Sequence, residues 1–251
     1  VTDGDTGSFG VFAPLADGQS PLAFIPTSLI PGQRVTVGDP LVIGGQVAPP
    51  VNAQVEAVFT RPDGTSETVT LEAGPFGYAY DPAAAVEADM PGVWRVTVSA
   101  RTGAGEAGVP GAAGRTFLIY VLPEDAQPLA WNALRLDTAI PGATPYNFNF
   151  TAPQGWEDVH GYWTMTTPGA VLADGEARMA GRSLSGQYNP ADIHADFPNF
   201  EVEGRVDGPA GSDGVTITVA FTGVDGDGVA QIQARTFTIF HDRLITMESA
   251  R

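Results

Sequence analysis

The residues best suited to chemistry in this 251-residue chain are paired carboxylates and clustered aromatics. Asp225-Gly-Asp-Gly228 sets Asp225 and Asp227 two residues apart in a glycine-freed loop. Such a pair can converge on a hard cation, which makes calcium the candidate metal and these two residues its candidate ligands. Asp3-Gly-Asp5 has the same form. Neither continues into a complete EF-hand series with its distal Glu, and Asp-Gly is equally the composition of a two-residue hairpin turn. Trp156, Tyr162 and Trp163 lie close together, and with Tyr188 they offer faces on which a sugar ring can stack. On a strand Tyr162 and Trp163 point to opposite faces, so only one of them joins a given platform. The candidate ligand-binding set is therefore Trp156, Trp163 and Tyr188.

Other motifs carry less. His160, His194 and His241 have no metal-ligand spacing among them. Gly103-Ala-Gly-Glu-Ala-Gly108 matches the dinucleotide fingerprint in letters, but Val109-Pro-Gly follows where a phosphate-binding helix must begin. Gly181-Arg-Ser-Leu-Ser185 resembles a nucleophile elbow but ends on Ser where glycine is needed. No catalytic constellation emerges, and the expectation is that the protein is not an enzyme.

Composition narrows the classes further. The chain has no Cys, and its twelve basic residues are all Arg. Thiolate sites, disulfides, Schiff bases, phosphate-loop lysines and lysine isopeptide cross-links are thereby excluded. A formal charge of −17 opposes binding to nucleic acid or to anionic membrane surfaces. No apolar run is long enough for a spanning helix, so no membrane insertion is expected. The chain opens on Val1 without a basic leader, which fits a mature form or a piece of something longer.

The elements that must position these residues read as β throughout. With 31 Gly and 21 Pro the chain is too rich in breakers for helices and suits strands joined by turns. Residues 1–33 open on the Asp3-Gly-Asp5 turn chemistry and continue, from Phe9 to Ile30, as an apolar run whose only charge is Asp17 and which proline interrupts, an extended segment able to dock on its own domain or on a neighbouring chain. Over 34–123 period-two strands are expected at Arg34–Val37, Leu41–Ile43, Gln54–Phe59, Glu67–Leu71, Phe76–Tyr78, Val93–Ser99 and Thr116–Val121. Asp81–Asp89 suggests two helical turns capped by Asp81. A polar linker, Pro123–Pro128, leads to a second, larger sandwich over 124–251. Arg115-Thr-Phe-Leu-Ile-Tyr120 is echoed by Arg235-Thr-Phe-Thr-Ile-Phe240, and each follows an alternating strand ending in Thr-Gly. A shared final hairpin in both halves argues for two sandwiches in tandem.

Three stretches carry a resemblance: Pro31-Gly-Gln-Arg-Val-Thr-Val37, Arg61-Pro-Asp-Gly64 and Pro91-Gly-Val-Trp-Arg-Val-Thr-Val98. They resemble bacterial surface immunoglobulin-like and macroglobulin-like modules over residues 31–122, and more loosely at the end of the second half. The resemblance implies an all-β chain of two tandem immunoglobulin-like sandwiches with an extended N-terminal segment. It also implies a secreted or cell-surface module for adhesion, spacing or assembly, and it brings no catalytic residues. The expected function is a non-enzymatic extracellular structural or adhesive protein, a subunit of a fibre or layer assembled through its N-terminal segment. Its partner would be another protein or a second copy. The alternative is a carbohydrate-binding accessory module of a larger secreted protein.

Overall fold

A computed structural model describes residues 22–102, 115–129, 131–136, 143–151, 153–166, 176–179, 182–185, 187–188, 199–207, 215–240 and 243–245. Residues 1–21, with the Asp3-Asp5 pair, His194, His241 and the Gly103–Gly108 motif, lie outside this set. The fold is all-β. The chain divides into two compact units that part between Val121 and Leu122.

The first unit begins with β1 (Ala23–Pro26), β2 (Arg34–Thr36), β3 (Pro40–Leu41), β4 (Gly44–Ala48) and β5 (Ala53–Thr60). It continues with β6 (Ser66–Ala73), β7 (Tyr78–Tyr80), β8 (Val86–Glu87), β9 (Gly92–Arg101) and β10 (Arg115–Leu122). One sheet has the order β1-β4-β7, the other β2-β10-β9-β5-β6, and β3 pairs with β8. Leaving aside β2, β3 and β8, the first, second and fifth strands (β1, β4, β7) thus form one sheet and the third, fourth, sixth and seventh (β5, β6, β9, β10) the other, an immunoglobulin-like partition. Strict alternation builds the core: Val55, Ala57 and Phe59 of β5 lie beside Val96, Val98 and Ala100 of β9, and Phe117 and Ile119 of β10 complete the row, all buried. Trp94 closes one end, its indole N–H donating to the Met90 carbonyl at 2.9 Å. The Arg61 guanidinium lies 5.1 Å over the Trp94 ring and pairs with Asp89 at 2.9 Å and Glu67 at 3.0 Å. Hydrogen bonds to Asp89 first and Glu67 second raise the Arg61 pKa above its ordinary value.

Several expectations change here. The described part of the N-terminal segment belongs to this sandwich. β1 pairs with β4 from Ala23↔Ala48 to Pro26↔Gly45, and Leu22, Phe24 and Leu29 are buried. Gly32 donates to Leu118 and Gln33 accepts from Tyr120, so the segment runs on along β10. Strand β4 was not expected, because Gly44-Gly45 reads as a breaker. Both glycines serve close approach instead: a Cβ on Gly45 would stand 2.1 Å from the Ile25 carbonyl oxygen, and one on Gly44 would stand 2.5 Å from the Tyr80 ring. The helix expected over 81–89 shrinks to a single 3-10 turn at Pro82–Ala84, capped by Asp81 accepting from the Ala83 N–H at 2.9 Å. Pairing of Val86 with Leu41 claims the rest of that stretch.

The second unit runs through β11 (Trp131–Leu136), β12 (Ala143–Thr151), β13 (Glu157–Thr166), β14 (Glu176–Met179) and β15 (Arg182–Ser185). It ends with β16 (Gln187–Tyr188), β17 (Asn199–Asp207), β18 (Val215–Val224), β19 (Ala230–Phe240) and β20 (Arg243–Ile245). Its sheets have the orders β11-β12-β17-β14-β15 and β16-β13-β18-β19-β20. Phe150 of β12 meets Phe237 of β19 with ring centroids 5.7 Å apart, joining the two sheets at the core. The sequence over 184–198 reads as a loop, but short strands at Arg182–Ser185 and Gln187–Tyr188 occupy its start.

The internal echo has a structural counterpart. Phe117 sits opposite Val96 in one hairpin, and Phe237 sits opposite Ile217 in the other. Beside each, a threonine pair bonds across the strands, Thr97 with Thr116 at 2.8 Å and Thr218 with Thr236 at 3.0 Å. In both Arg-Thr-Phe triplets the Thr pairs with a Thr and the Phe with an aliphatic residue of the preceding strand.

Candidate binding face

The carboxylate pair proves to be part of a turn. The Asp225 N–H donates to the Val229 carbonyl at 3.0 Å and the Gly228 N–H to the Asp225 carbonyl at 2.9 Å, with Gly228 at φ +78. This is a three-residue loop with glycine in the left-handed region, not a two-residue one. Arg61–Thr65 repeats it, with bonds of 2.8 and 3.0 Å and Gly64 at φ +86. One oxygen of Asp225 accepts from the amides of Asp227 and Val229 at 3.0 and 2.9 Å, and the other from the Gln231 side chain at 2.6 Å. The Val229 amide, then Gln231, lower the Asp225 pKa because these bonds favour the ionised form. Asp63 is lowered likewise, first by the Thr65 hydroxyl and then by its backbone N–H. Asp227 is exposed. Among the described residues no group of three or more His, Asp or Glu is placed to hold a metal ion.

Of the expected aromatic platform, Trp163 lies in the core and Trp156 is half-buried. Pairing of β13 with β18 slips by one residue between Glu157 and His160, where Asp158 takes φ +47. Such a bulge reverses the alternation of side chains. Trp156 consequently lies over Gly223, whose missing Cβ would stand 3.1 Å from its ring. Trp163 points into the sandwich at 1% exposure, with both ring faces covered, so it offers nothing to a sugar. Tyr188 pairs with Gly161 by backbone register, and its side chain lies outside the described set. Trp156 is thus a half-buried ring and Trp163 a core ring, while the backbone of Tyr188 lies on an edge strand.

A different aromatic group is open. In the β1-β4-β7 sheet the residues Phe24, Val47 and Ala79 face inward and are buried. Alternation then turns Ile25, Gln46, Tyr78 and Tyr80 outward, with Ile25, Gln46 and Tyr78 in one cross-strand row. Tyr80 extends over Gly44, which it pairs with. The Tyr78 and Tyr80 ring centroids are 6.4 Å apart with planes 28° from parallel. Phe76 stands in the turn before β7, its carbonyl accepting from the Gln46 side chain. Exposures are 83% for Phe76, 53% for Tyr78, 48% for Tyr80 and 46% for Ile25. None of these side chains carries a charge in a chain of net −17.

A strand read at Phe76–Tyr78 hides this face; the strand lies at Tyr78–Tyr80 instead. The signal was Tyr78-Ala-Tyr80, two large aromatics flanking one small residue at strand spacing. Ala79 is the buried, inward residue of that triplet, opposite Gly45.

No protein-family profile matches the chain, and no curated protein sequence matches it. Among solved structures, a marsupial T cell receptor aligns at 14% identity and TM-score 0.30, covering 85% of this chain and 61% of that one. An α-L-rhamnosidase from Aspergillus terreus aligns at 13% and 0.33, covering 86% and 30%. The native α-2-macroglobulin of E. coli aligns at 15% and 0.30, covering 88% and 14%. At these values the alignments assign neither family nor function. The fold and the site define an all-β protein of immunoglobulin-like strand order with an open aromatic sheet face. Among the described residues no helix is long and apolar enough to cross a membrane.

Proposed function

We propose that this is a non-enzymatic extracellular or cell-surface protein that works by contact, as an adhesive or structural module of two sandwiches in series. The observation that carries the reading is the exposed face of Ile25, Tyr78 and Tyr80, with Phe76 exposed in the adjoining turn. Open apolar patches of this kind on soluble domains are commonly contact sites. The acidic, lysine-free composition favours solubility outside the cell over any anionic partner. Assembly into a fibre or layer through the N-terminal segment now concerns residues 1–21 alone, because residues 22–33 are committed to the first sandwich.

Fractionation of source cells tests the reading. The protein is expected in the medium or in a mild surface extract, and recovery only from the cell interior would overturn it. Light scattering of the full chain against one lacking residues 1–21 tests the assembly part. A larger mass for the full chain supports it, and equal monomeric masses refute it.

A carbohydrate-binding module is the second reading, and the neighbouring Tyr78 and Tyr80 rings are what favour it.

A further inference from the structure

We infer that the outer face of the β1-β4-β7 sheet binds a neutral polysaccharide, with Tyr78 and Tyr80 as the stacking surface and Phe76 and Ile25 extending it. The inference rests on the contact reading above and names the ligand of that same face.

Size argues first. At ~200 Å² per large side chain, the four exposures leave on the order of 450 Å² open. A standard protein interface buries about 800 Å² on each partner. The face is thus about half of what a stable protein partner needs, while it falls within the size of functional patches on monomers.

Charge argues second. A copy of this chain docking face to face would bring together two bodies of −17 each, which mutual repulsion opposes. Anionic lipid and acidic polymers meet the same opposition. A neutral polymer does not, and the face itself holds only apolar side chains, two phenols and one amide.

Chemistry argues third. A pyranose has an apolar face of C–H groups and an equator of hydroxyls. Aromatic rings of Tyr present an apolar face and a hydrogen-bonding tip together. Tyr78 and Tyr80, two residues apart on one strand with planes 28° from parallel, give successive stacking positions along a chain of sugars. Their backbone is held on one side by β4, and Gly44 and Gly45 allow β7 and β1 to close upon that strand. The platform is therefore built on a sheet rather than a loop, and little ordering is needed on binding.

The test is native gel electrophoresis of the full chain through gels containing hydroxyethyl cellulose, xylan or galactomannan. Retardation is expected in at least one of them. It should weaken at least tenfold in Tyr78→Ala and survive in Tyr78→Phe, which keeps the ring. Trp156→Ala should leave it unchanged. Tyr80→Ala uncovers Gly44 and can loosen the sheet, so Ile25→Glu provides the second variant, with thermal melts confirming that each variant is folded. No retardation in any gel, or retardation equal in Tyr78→Ala and the parent, would overturn the inference. So would a concentration-dependent doubling of mass that Tyr78→Ala abolishes, which would assign the face to a second copy. If polysaccharide binding fails while the protein is found at the cell surface, only this inference falls. If the protein is found only in the interior, the contact reading falls with it.

Discussion

Replacing Gly45 by Ala puts the close approach of β1 and β4 under direct test. The new Cβ would stand 2.1 Å from the Ile25 carbonyl oxygen and 2.8 Å from the Phe24 ring terminus. The ring can turn aside, but the oxygen is backbone and is locked in the β1–β4 ladder. One limit is local relief of an overpacked contact, at ~1–3 kcal/mol. The other is release of β1, which returns Leu22 and Phe24 to water at ~1.5–3 kcal/mol each. Between them we expect about 3 kcal/mol, which is roughly a hundredfold in an opening equilibrium. Hydrogen exchange read by mass spectrometry on the full chain localises the effect. Peptides covering residues 22–30 and 44–48 should exchange about a hundredfold faster, with the second unit unchanged. Gly64→Ala is the control: Gly64 sits at φ +86 with nothing within 4 Å, so only ~1–2 kcal/mol of backbone strain is expected, confined to the β5–β6 hairpin. Exchange in residues 22–30 equal to the parent in Gly45→Ala would refute the reasoning.

Three further expectations follow from the site. Trp163→Ala should lower stability by about 3–5 kcal/mol in urea unfolding, because it empties a core position, while Trp156→Ala should cost clearly less; equal small effects would show that Trp163 is not in the core. Asp225 has a lowered folded pKa, so its contribution is present above the unfolded value near ~3.9 and is lost as pH falls through the lower folded value. Amide shifts of Asp227 and Val229 in an acid titration should therefore break below that value and lose the step in Asp225→Asn, whereas a midpoint at or above it contradicts the hairpin role. EGTA against excess calcium should leave the melting temperature unchanged, since both Asp225 oxygens already accept bonds from their own hairpin; a rise with calcium would restore the cation site.

The sandwich strands were legible wherever one face alone is buried. β5, β9 and β10 alternate so regularly that sequence placed them within two residues. The Arg-Thr-Phe echo was also legible, because a cross-strand pair fixes residue types at a fixed spacing. Other features depended on contacts far apart in sequence. Gly44-Gly45 looks like a break until Ile25 and Tyr80 are seen pressing on it. Trp156 and Trp163 look like a surface pair until the bulge at Asp158 is seen, with Trp163 in the core and Trp156 half-buried over Gly223. Asp225 and Asp227 read equally as ligands or as a turn, and what sequence alone does not show is that the amides of 227 and 229 bond to the Asp225 carboxylate. In each case the local pattern permits two outcomes, and a long-range neighbour or one backbone angle selects between them.

The central claim is that the protein acts through the open face of its first sandwich. Retention of beads coated with the full chain on the surface of intact source cells measures this most directly. The account predicts that parent protein holds the beads through washing and that Tyr78→Ala with Ile25→Glu, still folded by its melt, releases them. Equal retention by both would contradict it.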